Sequence, residues 1–180
     1  MNTDRKAFAR TALPLVLCVT IVSLGAQTPR QQAEKELART VPADSVQACS
    51  LITRADVERA TGRNPYVDPE PAGDGGWICN VGIGELKLYS GPKSWEAWES
   101  TLKGFKKDKE PRTPASGFGE RAYFLFPKPD NEYQGNVAFL VAKSGNYTLA
   151  LSLDAPKDKP AESMRPALEA LMKTILARLQ

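Results

Sequence analysis

No histidine occurs anywhere in the chain. That removes the Ser-His and Cys-His nucleophile pairs and every histidine-ligated metal site. The groups left with chemistry to offer are three cysteines, some loop carboxylates and a set of aromatic side chains. Cys18 sits inside an apolar run and follows Leu17, so it lacks the small-residue context of a lipid-modified cysteine. Cys49 and Cys79 then form an even pair with no C-x-x-C spacing. In an oxidising compartment such a pair reads as one structural disulfide, not a redox or metal site. Closing a loop of about 30 residues contributes roughly 3–4 kcal/mol on the chain-entropy account.

Asp68, Glu70 and Asp74 share a loop with several glycines, but the spacing of a calcium-binding EF-hand loop is missing, and a solvated acidic loop is the simpler assignment. Gly73-Asp74-Gly75-Gly76 and Gly117-Phe118-Gly119 lack the lysine and hydroxyl of a phosphate-binding loop and the full dinucleotide spacing. Lys103, Lys106, Lys107 and Lys109 crowd one expected helix end, where cations offset the helix dipole. No cofactor and no metal is implied. Trp77, Tyr89, Trp95, Trp98, Tyr123 and Phe124 gather on neighbouring expected elements. Such residues are mostly core, and they become candidates for a ligand groove where the sheet curves away from its helices.

The elements that must position these groups begin at Thr53. Thr53 and Asp56 have the spacing of a capping box, Ile52 and Val57 that of a hydrophobic staple, and Gly62 suits a left-handed helix end. Together they predict a helix over 54–61. Residues 64–67 are expected as a short strand, and the proline- and glycine-punctuated stretch 68–76 as a loop. Residues 77–81 predict a strand with Trp77, Cys79 and Val81 on one face, and 85–89 a strand returning antiparallel. Trp95, Trp98, Leu102 and Phe105 recur at helical spacing after Pro92. A second proline-marked loop follows, then a strand over 120–126. A hairpin of 137–141 and 147–153 turns around residues 144–146, with one face buried and the other partly wet. The last helix carries a Met, Leu and Ile stripe from Met164 to Leu179, and Pro166 demands a kink or a start near Ser163. The fold class is therefore α+β: an antiparallel sheet with helices packed mainly on one face, in an order compatible with two strands-then-helix units.

Residues 1–26 read as a secretory leader: basic Arg5, Lys6 and Arg10, an apolar run over 12–22, then small residues to Ala26. The run is shorter than the roughly 20 residues a comfortable span needs, so no stable membrane span is expected once the leader is removed. Residues 27–47 form a polar arm and 48–180 one domain. Removing Arg5, Lys6, Arg10 and Asp4 brings the formal charge from +3 to about +1, which leaves no strong field for nucleic acid.

Ala48-Cys49-Ser50-Leu51-Ile52-Thr53, with Asp56, Gly62, the strand cysteine Cys79 and Gly117-Phe118-Gly119-Glu120-Arg121-Ala122-Tyr123, resembles a group of exported bacterial domains of unknown function. Those domains open Ala-Cys-Ser-Leu-Leu-Thr, and many are lipoproteins. The resemblance implies a bacterial envelope protein, periplasmic or secreted, with a Cys49–Cys79 bridge, and it carries over no catalytic residue. The expected function is a non-catalytic domain that binds a partner protein or small ligand. The rival expectations are a carboxylate-based hydrolase of envelope saccharides and a structural envelope component.

Overall fold

The computed structural model describes residues 46–66, 68–73, 76–129 and 136–179. The expected leader, most of the arm and Asp74 lie outside the described residues. A 3-10 turn at Ala48–Leu51 leads into α1 (Arg54–Thr61). Strands β1 (Glu70–Pro71), β2 (Ile78–Asn80) and β3 (Gly84–Ser90) precede α2 (Ser94–Gly104). Then come β4 (Arg112–Pro114), β5 (Arg121–Leu125), β6 (Val137–Ser144), β7 (Tyr147–Asp154), a second 3-10 turn at Ala161–Met164, and α3 (Arg165–Leu179). The strands form one seven-stranded antiparallel sheet in the order β1-β2-β3-β7-β6-β5-β4, so the fold is α+β.

Two meanders, β1 to β3 and β4 to β7, join where their last strands pair, Leu86 opposite Leu151. A helix follows each meander, as the two strands-then-helix units require, but the two helices go to opposite faces. Leu86, Leu88, Leu140, Leu149 and Leu151 point to the face covered by α1 and α3. Tyr89, Tyr123, Leu125, Val141 and Ala150 point to the other face, under α2. Two of the three α-helices among the described residues thus share a face, and the third builds a second core behind it.

The capping box forms as its spacing predicts. The Thr53 amide donates to Asp56 Oδ2 at 2.9 Å, and Gly62 takes the left-handed end position at φ 64°. Arg178, in the last turn of α3, brings its guanidinium 2.6 Å from the same Asp56 oxygen and also donates to the Leu51 carbonyl. One carboxylate therefore starts the first helix and fastens the last. Cys49 and Cys79 form a disulfide that ties the opening 3-10 turn to β2. Pro166 is the second residue of α3, where a missing amide proton leaves no bond broken, so the helix starts near Ser163 without needing a kink.

Four expectations need correction. Residues 64–66 form no strand, and Val67 lies outside the described residues. The two proline-marked loops each contain a short strand, β1 and β4, because a sheet edge tolerates proline. Trp77 precedes β2, beyond the strand's alternation, and turns away from Cys79 and Val81 to the α2 face. Neither face of β7 is wet along most of its length: Thr148 and Ser152 are buried beside Leu149 and Leu151, since β7 is the central strand. Thr148 Oγ1 is satisfied by Ser94 Oγ at 3.0 Å.

Candidate functional site

Five of the six aromatic candidates form the second core. Trp77, Tyr89, Trp95, Trp98 and Tyr123 pack between α2 and the sheet, all at most 8 % exposed. Their rings meet in tilted or edge-on pairs, Trp77–Tyr89 at 5.9 Å, Tyr89–Trp98 at 6.0 Å and Trp95–Tyr123 at 5.6 Å. Trp98 Nε1 donates to Tyr123 Oη at 2.6 Å. Burial pushes the Tyr123 phenol up to about 12, with the Trp98 bond opposing it. Burial likewise raises Tyr89, against a hydrogen bond with Thr101. Phe124 is on the opposite face, stacked on Phe126 and covered by the Arg165 guanidinium at 4.5 Å from its ring. Of the six, Trp98 also lines an open groove.

That cavity is a groove of about 610 Å³ on the α2 face, displaced toward the end of the sheet that α2 leaves bare. It exists because α2 is short. The helix lies over Thr148 at its start and stops at Gly104, while β3, β7, β6 and β5 run on past it. The stop is a two-bond turn: Lys107 N donates to the Leu102 carbonyl at 2.9 Å and Lys106 N to the Lys103 carbonyl at 3.0 Å. This is the pattern of a Schellman motif. Its left-handed position holds Lys106 at φ 58°, where glycine is the usual occupant. The turn sets Phe105 and Lys107 on the groove wall beside Leu102.

Phe139, Val137 and Leu125 make the apolar floor, and the strand ends beside it are polar. Glu85 on β3 stands opposite Ser152 on β7, whose hydroxyl accepts from the Glu85 amide at 3.1 Å and donates to the Glu85 carbonyl at 3.3 Å. Lys87 Nζ lies 3.2 Å from Glu85 Oε2 and 5.7 Å from the centre of the Phe105 ring. Asp154, two residues beyond Ser152, is the diagonal neighbour of Glu85 on the same face, about 7–8 Å away. Loss of water pushes the Asp154 carboxyl up, Arg63 draws it down, and the Glu85 charge raises it further.

Comparison with protein-family models, curated proteins and solved structures returns no match. The groove's own residues therefore carry the functional argument. Glu85, Lys87, Ser152 and Asp154 were not singled out by sequence, because each sits in a strand pattern that reads as ordinary alternation. The signal available was narrow: Glu85 and Lys87 alternate with Leu86 and Leu88 on a strand whose polar face is not simply solvent. Of the acidic loop residues, Asp68 pairs with Arg54 at 3.3 Å and Glu70 lies in the edge strand β1. Among the described residues no three cysteine or carboxylate side chains gather as metal ligands. Nor is any helix among them long and apolar enough to cross a membrane.

Proposed function

We propose that this chain is an exported, non-catalytic domain of the bacterial envelope, periplasmic or secreted, and that it binds a small apolar-bodied ligand in the groove on the α2 face. The observation that carries the binding reading is the groove itself, an open cavity of about 610 Å³ with an apolar floor and a few polar groups at its ends. Export is supported by the leader-like residues 1–26 and by the disulfide.

The rival hydrolase draws on Glu85 and Asp154. Glycoside hydrolysis needs an acid and a base or nucleophile flanking the scissile bond. Glu85 and Asp154 rise side by side from adjacent strands, and Glu85 is already paired with Lys87. This arrangement favours holding a ligand over cleaving one.

Two measurements test the proposal. Titration with 1-octanol, followed by amide chemical shifts, is expected to move Lys87, Phe139 and Ser152 together and saturably. Shifts scattered over the surface would exclude the groove. Intact mass of the chain recovered from a bacterial periplasmic fraction is expected to show loss of the leader and of the two thiol protons. A retained leader or two free thiols would remove the exported assignment.

A further inference from the structure

The two ends of the groove differ in their balance of charged residues. Glu85 and Asp154 close one end, while Lys107 and Lys128 stand at the other, beyond β5. Three strand spacings separate β3 from β5, or about 14 Å. At the basic end Lys107 is engaged, its Nζ donating to the Lys128 backbone carbonyl at 2.8 Å and lying 3.9 Å from Glu110, while Lys128 is exposed. At the acidic end the cations fall short of the carboxylates. Lys87 pairs with Glu85, but the Asp154 carboxylate has no hydrogen bond or ion pair among the described residues. Arg63 is near, yet its Nη1 donates to the Asp154 carbonyl at 2.6 Å, and Arg63 does not line the groove.

Resting on the binding reading above, we infer that the groove takes a small primary ammonium carried on an apolar stem. The ammonium sits between Glu85 and Asp154, and the stem lies over Phe139 and Leu102. An ammonium has three protons to donate and no acceptor. Glu85 and Asp154 accept two of them. The third meets Ser152 Oγ, which stands between the carboxylates on the same face and keeps an acceptor lone pair after its two bonds to the Glu85 backbone. A carboxylate head in the same place would face two like charges, offset only by the Lys87 ammonium that already pairs with Glu85.

The test compares octylammonium, octyltrimethylammonium, 1-octanol and octanoate as ligands of the purified chain, by calorimetry at neutral pH. Octylammonium is expected to bind tightest and octanoate weakest. The trimethyl compound should fall below octylammonium because it cannot donate. Glu85→Gln and Asp154→Asn should each weaken octylammonium about twofold to fivefold, the range of a partly exposed ion pair, and weaken 1-octanol by less. Asp154→Lys should turn the preference toward octanoate, a reversal that simple loss of structure would not produce. If octanoate matches octylammonium, or the order survives the Glu85→Gln/Asp154→Asn double variant, the ammonium inference is wrong while the groove stands. If none of the four binds, the binding reading fails with it.

Discussion

Ala150 and Leu151 are consecutive on β7, yet they look into two differently built interiors. Leu151 faces a mainly aliphatic core closed by two helices and fastened by the disulfide and by the Asp56–Arg178 pair. Ala150 faces an aromatic core closed by one short helix, which ends before the sheet does. The first face can be sealed because helices precede and follow the whole set of strands. The second has a single helix inserted between the meanders, and an eleven-residue helix cannot cover the sheet end to end. Packing is concentrated on one side, and room for a ligand is left on the other.

The contrast can be broken most forcefully by cavity formation. Leu151→Ala, at a fully buried position, is expected to cost about 4 kcal/mol in urea unfolding. Leu102→Ala on the groove wall should cost only about 2 kcal/mol, because water from the groove can occupy the space. Equal losses would mean that the two faces are packed alike.

A smaller effect is expected in acid. Burial pushes the Asp56 carboxyl up, but hydrogen bonds from Arg178 and from the Thr53 hydroxyl and amide outweigh it and hold the group at about 2. A folded value below the unfolded one makes the contribution complete above about pH 4 and lost as the pH falls through about 2. It amounts to roughly 2 kcal/mol. Arg178→Gln should flatten this dependence in unfolding titrations between pH 2 and 5, whereas groove variants such as Glu85→Gln should leave it in place.

The smallest expected change sharpens the picture of α2. Lys106→Gly should stabilise the fold by about 1 kcal/mol, since glycine takes the left-handed conformation without a Cβ penalty. Thermal unfolding would show it. A loss of stability instead would mean that the Lys106 side chain contributes more than its backbone costs.

Much of the covered face was legible in the sequence. Thr53, Asp56 and Gly62 delimit α1 through local chemistry, and the stripe from Met164 to Leu179 announces α3 by period alone. The Cys49–Cys79 pairing followed from counting. Less legible were β1 and β4, whose prolines are loop signals everywhere except at a sheet edge. The side to which α2 would go was not legible either, since Trp95, Trp98 and Leu102 specify an apolar helix face without naming the sheet face beneath it. The groove escaped for the same reason: Glu85 and Asp154 lie 69 positions apart and meet only through the β3–β7 register.

β1 and β4, the two outermost strands, have two and three residues, and each ends in a proline. A peptide attempting to add itself as an eighth strand would find at each margin a short ladder with one amide donor missing. Sheet extension by a second polypeptide, and stacking of copies into fibrils through these margins, are thereby disfavoured. Recognition is directed to side chains on the faces, where shape and charge can discriminate, and away from the indiscriminate hydrogen bonding of exposed backbone.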